Sequence, residues 1–177
     1  MKGTIPQAAE KFVREKFGDA TWDEVCVEAG LRRDSYFMPA ADIDDRTVIR
    51  VVEAIGTVLR LRPQQVADAF GEYFVCDYAS ELYPAYFRGV TNARELLLKV
   101  DTIHSLVTRS VPNARPPRFA YSWSDENTLV IDYRSPRQLH AIFLGLIKGA
   151  GAHYGEELAV RAAGSRVTVR FPAAAAA

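Results

Sequence analysis

Apolar residues recur at helical spacing through the first hundred positions and at strand spacing beyond them. Ala9, Phe12, Val13 and Phe17 predict a helix over about 7–17, closed by Gly18. A second helix, centred on Trp22, is expected to run from a Thr21-x-x-Glu24 capping box to Gly30. A third begins near Asp45 and carries Val48, Val51, Val52, Ile55 and Leu59, and Pro63 opens a fourth through Val66, Ala69 and Phe70. From Thr91 or Asn92, with Glu95 following, Leu97, Val100, His104, Val107 and Val111 fall at spacings of three and four, in a helix that must stop before Pro112.

After the Pro112 to Pro117 turn the period becomes that of strands. The runs 118–123 and 128–133 flank Ser-Asp-Glu-Asn and should pair, and a helix over about 136–154 follows. A second hairpin is expected from 157–161 and 166–171 around Ala-Gly-Ser. The pattern predicts an α+β fold: a helical N-terminal lobe, and a C-terminal lobe with a four-stranded antiparallel sheet plus helices. No repeat or linker divides it, so one domain is expected over 1–172, with 173–177 an alanine tail without function.

Two places carry candidate chemistry. His104 interrupts an aliphatic stripe that points inward, so its ring nitrogens need partners. Position alone admits a core histidine bonded to a backbone carbonyl, or a neutral imidazole ready to ligate a metal. The other place is Tyr133-Arg134-Ser135-Pro136-Arg137, where a β-branched run gives way to a helix. Ser135 as N-cap, Pro136 at the first helical position and Gln138 closing a capping box would gather free N–H groups there. Arg137 adds a fork fitted to a carboxylate, so this corner suits an anion.

Composition narrows the ligand classes. At 177 residues the chain can bury ~70% of the surface its unfolded form exposes, enough to enclose a large cofactor. Lys plus Arg number 22, as do Asp plus Glu, so no net charge draws nucleic acid or an anionic membrane surface. No signal peptide or membrane-spanning run is evident, and the protein is expected to be soluble and cytoplasmic. The two cysteines, Cys26 and Cys76, lack Cys-x-x-Cys spacing, which argues against zinc or a disulfide framework. Cys26 reads as a core residue.

Taken together, these residues resemble the H-NOX domains, haem-based nitric oxide and oxygen sensors related to the regulatory domain of soluble guanylate cyclase. The likeness covers nearly the whole chain, from Met1-Lys2-Gly3-Thr4-Ile5 through Phe70-Gly71-Glu72-Tyr73-Phe74, Tyr83-Pro84-Ala85-Tyr86-Phe87 and Asp101-Thr102-Ile103-His104. It continues through Pro116-Pro117-Arg118, the Tyr-x-Ser-x-Arg signature and Phe143-Leu144-Gly145-Leu146-Ile147-Lys148-Gly149. The resemblance implies one haem b buried between the two lobes. His104 would be its proximal ligand, Tyr133, Ser135 and Arg137 would hold its propionates, and Pro117 would press on the porphyrin. Ile103 and Val107 would line the proximal side, and Ile5, Ile142 and Leu146 the distal side.

The resemblance also bears on the gas. Oxygen-binding members carry a distal tyrosine on the helix after the signature, and the aligned position here is Ile142. An apolar pocket favours nitric oxide, with carbon monoxide also bound, because bound oxygen needs a hydrogen-bond donor. Tyr73, Tyr78, Tyr83 and Cys76 are candidates to reach that pocket. His140, two residues from Ile142 and so rotated by ~200°, should point elsewhere. The implied function is a non-enzymatic sensor in which nitric oxide weakens the bond to His104 and frees its helix. The implied partner is a separate protein such as a histidine kinase or a cyclic-dinucleotide enzyme. The alternatives are an oxygen-binding H-NOX, a haem enzyme, which would need polar distal acid–base groups, or a haem-free binder of another carboxylate.

Overall fold

The computed structural model describes residues 1–109 and 111–173. Residues 174–177 of the alanine tail lie outside the described residues. The chain begins with α1 (Thr4–Phe17), α2 (Asp19–Glu28), α3 (Asp45–Leu59) and α4 (Pro63–Tyr73). The last runs on as a π-helical segment, Phe74–Ala79, followed by the short α5 (Ser80–Leu82) and α6 (Pro84–Phe87). Then come α7 (Ala93–Thr108), β1 (Arg118–Asp125), β2 (Thr128–Arg134), α8 (His140–His153), β3 (Ala159–Ala163) and β4 (Arg166–Arg170).

Local chemistry sets most of these boundaries. The Asp44 carboxylate accepts from the Arg46 N–H to start α3, and Pro63 fills the first position of α4. At the start of α7, Asn92 Oδ1 accepts from Glu95 N–H at 2.9 Å while Glu95 Oε2 accepts from Thr91 N–H at 3.1 Å. Three starts differ from expectation. α1 opens at Thr4 rather than near 7, after Gly3. α2 opens at Asp19, because Gly18 with φ +92° turns the chain there, and Thr21 instead donates its hydroxyl back to the Phe17 carbonyl. α8 opens at His140 rather than near 136, because Gln138 takes a left-handed φ of 50° that no helical turn can contain. The Ser135–Gln138 capping box therefore does not form, and no helix N-terminus lies at Arg137.

The sheet is antiparallel throughout, in the order β1-β2-β4-β3. Its register sets Leu129 against Val169 and Ile131 against Val167, so one face buries all four. Phe12, Trp22, Val51, Ile55 and Phe70 build one core, within the N-terminal helices. The sheet, Leu96 and Leu97 of α7, and Phe143 and Ile147 of α8 build another. Each such apolar side chain taken from water stabilises by roughly 1.5–3 kcal/mol. α8 joins the cores, since Ile142 belongs to the first. Its backbone lies directly on α4: a Cβ at Gly71 would sit 2.1 Å from the Gly145 carbonyl carbon, and one at Gly145 would sit 1.9 Å from the Ala67 oxygen.

Candidate cofactor site

Between the two cores opens a cavity of about 310 Å³. His104, Tyr133, Ser135, Arg137, Pro117, Ile5, Ile103, Val107, Ile142 and Leu146 all line it. They arrive from α7, the segment before β1, the end of β2, the turn after it, α1 and α8. Helical periodicity aims Val100, Ile103, His104 and Val107 at the same space, and strand alternation aims Tyr133 inward while Arg134 points out.

The His104 ring lies tilted against Phe119 at 5.5 Å, and Phe119 in turn meets Phe143 at 5.0 Å. Tyr133 stacks on Phe143 at 4.8 Å, so aromatic rings run from His104 to the polar end of the cavity. Burial pushes the His104 pKa below the ordinary histidine value, against the pull of the Pro117 backbone and Asp101. Burial therefore favours the neutral imidazole, and among the described residues its buried Nδ1 has no hydrogen-bond partner. Among the described residues no cluster of three His, Cys, Asp or Glu could hold a bare ion. A lone neutral imidazole in an apolar cavity suits an iron whose in-plane ligands belong to a macrocycle.

The opposite chemistry gathers at Tyr133, Ser135 and Arg137. Ser135 Oγ accepts from the Arg137 N–H at 3.3 Å, which shapes the turn without a helix behind it. The Arg137 guanidinium donates from Nε to Asp45 Oδ1 at 3.0 Å and from Nη1 to the Arg115 carbonyl at 2.7 Å. Two of its five N–H groups are used by described residues, leaving three to face a ligand. Asp45 was legible only as a helix start, and nothing in the sequence links it to a residue 92 positions away. Its carboxyl is raised by partial burial but held below the usual carboxylate value by the α-ammonium of Met1 and by Arg137.

The structure separates the other candidates. Tyr73 donates its hydroxyl to Glu15 at 2.9 Å and Tyr78 to Gln7 at 2.6 Å, and neither lines the cavity. Cys76 packs its sulfur against the Gly149 carbonyl, and His140 lies edge-on to Tyr133, both away from the cavity lining. Cys26 is fully buried in the helical core. Tyr83 does face the cavity, as do Tyr86 and Phe87, which sequence reasoning did not single out.

A model of haem-NO-binding proteins matches residues 2–162. The chain belongs to this family. The H-NOX fold extends over nearly all of it: an oxygen-binding H-NOX domain related to soluble guanylate cyclases, in its oxygen complex, superposes with a TM-score of 0.80 at 27% identity, covering 97% of this chain and 95% of that one. A variant of the T. tengcongensis H-NOX gives 0.82 at 27% identity, with 97% of each chain covered. Soluble guanylate cyclase gcy-31 of Caenorhabditis elegans is 20% identical over 168 residues. That match takes in 89% of this chain and 22% of the cyclase, so the chain spans about a fifth of its curated relative. The protein is thus a haem-binding gas-sensor domain of the soluble guanylate cyclase type, and the H-NOX cavity fits haem in its neutral imidazole, apolar walls and anion-binding end. No helix among the described residues is long and apolar enough to cross a membrane.

Proposed function

We propose that this H-NOX domain holds haem b through His104 and senses nitric oxide, binds carbon monoxide as well, and forms no stable oxygen complex. The observation that carries the reading is the chemistry of the cavity wall contributed by Ile5, Phe74, Val75, Ile142 and Leu146, which offers no hydrogen-bond donor. Haem, when held by these residues, would supply a ferrous iron able to take up a diatomic gas. Oxygen there would carry negative charge, and lack of a donor costs it ~1–3 kcal/mol, or one to two powers of ten in affinity. Nitric oxide needs no such help.

The chain's own residues do the rest. His104 takes the iron from α7, and Pro117 sets the wall beside it. Tyr133, Ser135 and the three free N–H groups of Arg137 receive the propionates, with Asp45 holding the guanidinium in place beforehand. A shift of His104 is carried by α7 to its solvent face at Thr102, Ser105 and Leu106, which are exposed. That is how a gas bound inside reaches a separate signalling protein such as a histidine kinase or a cyclic-dinucleotide enzyme.

Tyr83 supplies the specific observation for the other reading, an oxygen sensor, because its side chain faces the cavity. The absorption spectrum of the ferrous protein in air decides between them. A stable oxygen complex lost on Tyr83→Phe would establish oxygen sensing; absence of that complex, with nitric oxide and carbon monoxide both bound, is the expected result.

A further inference from the structure

We infer that the outward face of the four-stranded sheet is a docking surface for an acidic protein segment. Strand alternation sends Leu129, Ile131, Tyr133, Val167 and Val169 into the core and the intervening residues outward. The register then assembles the outward rows. Arg166 stands between Asp132 and Ala163, Thr168 between Val130 and Arg161, and Arg170 between Thr128 and Ala159. Ala120 and Ser122 of β1 extend the same rows, and Arg134 ends β2. Ala120, Ser122, Arg134, Ala159, Arg161, Ala163, Arg166 and Arg170 are all exposed, so among the described residues no other element covers this face.

Its charge departs from that of the molecule. The chain balances 22 basic against 22 acidic residues, yet this face presents Arg134, Arg161, Arg166 and Arg170 against Asp132, with Arg118, opposite Arg134, held by Asp101 of α7. Asp132 is already paired with Arg166 at 3.3 Å, and Asp125, at the end of β1, lies near Arg170. Among the described residues Arg134 and Arg161 have no acidic partner within salt-bridge reach. The floor between the guanidinium groups is made of alanine, serine, threonine and Val130, all short side chains that let a partner approach closely.

Chemistry selects the occupant. Arginine presents a planar fork that binds a carboxylate through two parallel hydrogen bonds, and Arg clusters recur in recognition of acidic motifs. The outward rows hold no aromatic ring on which a nucleic-acid base could stack, since Tyr121 and Trp123 alternate to the other side. They hold no large apolar side chain to enter a bilayer. Complementary charge of this kind steers association and fixes register. The surface stands on charge and exposure alone, independent of which gas is sensed.

The test uses the ¹⁵N-labelled haem-loaded protein in its diamagnetic ferrous carbon monoxide form, titrated with a 20-residue poly-glutamate peptide. Saturable amide shifts confined to β2, β3 and β4, with affinity falling as salt rises, are expected. The triple variant Arg134→Glu, Arg161→Glu, Arg170→Glu should weaken binding at least tenfold while keeping the wild-type melting curve and haem spectrum. Should the triple variant fail to fold, Arg161→Gln alone, on the edge strand, should weaken it several-fold. Shifts centred elsewhere, or tighter binding of a 20-nucleotide oligo-dT or of phosphatidylserine vesicles through the same arginines, would overturn the assignment.

Discussion

Asp101 and Arg118 form a two-pronged ion pair, with Nε 2.9 Å from Oδ1 and Nη2 2.6 Å from Oδ2, and Asp101 Oδ1 also accepts the Phe119 N–H at 2.9 Å. The clamp ties α7, one turn before His104, to the residue that follows Pro117. It therefore fixes the two parts of the cavity wall whose relative position a haem ligand on α7 depends on. Replacing Asp101 by Ala should loosen haem more than Arg118→Ala, because only Asp101 also holds a backbone N–H. The double variant should lose haem no faster than Asp101→Ala, since the partners share one interaction; transfer of haem to apomyoglobin measures this. Arg118 holds the Asp101 carboxyl below its usual value. A lowered carboxyl pKa contributes stability above the unfolded value and loses it as pH falls, so the clamp should be intact at neutral pH and weaken only below about pH 4.

His104→Gly should abolish stable haem capture unless imidazole is supplied in solution. Among the described residues that line the cavity, His104 is the only histidine and there is no cysteine. Haem content after expression, with and without imidazole, is the measurement, and unchanged content without imidazole would show that another residue ligates.

Arg137→Ala should speed haem loss by about ten- to a hundredfold, the equivalent of ~1.5–3 kcal/mol of charge-assisted hydrogen bonds. Arg134→Ala should leave the loss rate near that of the unmodified protein, since Arg134 lies on the exposed side of β2. Equal rates in the two variants would contradict the assignment of the anion-binding end.

Ile142→Tyr should create a measurable oxygen complex in air. Ile142 lines the cavity, and the new hydroxyl supplies a donor that Ile5, Phe74, Val75 and Leu146 do not offer. The ferrous absorption spectrum reports it, and a variant that folds, binds carbon monoxide and still takes up no oxygen would show that Ile142 does not face the gas.

Gly145→Ala should lower thermal stability by more than a typical surface change. Its methyl group would meet the Ala67 carbonyl oxygen at 1.9 Å, and backbone cannot step aside as a side chain can. Overpacking of this kind costs ~1–3 kcal/mol, which in a chain of this size lowers Tm by a few degrees per kcal/mol. Calorimetry on the haem-loaded protein gives the value.

Periodicity and punctuation were enough to read the order of the six longer helices and the four strands and the inward stripe of α7, though not the π-helical segment or the short α5 and α6, because the former follow from interactions between residues a few positions apart. The same local logic placed His104 on an inward face, and the resemblance to H-NOX domains nominated Tyr133, Ser135, Arg137, Pro117, Ile103, Val107, Ile5, Ile142 and Leu146, which reach the same cavity. Local reasoning failed where a short-range signal had a tertiary competitor. Ser135 and Gln138 spelled a capping box, but the chain takes a left-handed turn at Gln138 and starts α8 at His140. What only the tertiary structure decided is which distant groups meet: Asp45 holding Arg137 across 92 residues, Tyr73 and Tyr78 spent on Glu15 and Gln7, and Asp101 clamped to Arg118. The physical reason is that hydrophobic periodicity specifies which face of an element leaves water but is non-directional about what it leaves water to meet. The partners of polar groups are set only once packed backbones, such as those of α4 and α8 at Gly71 and Gly145, fix the distances between elements.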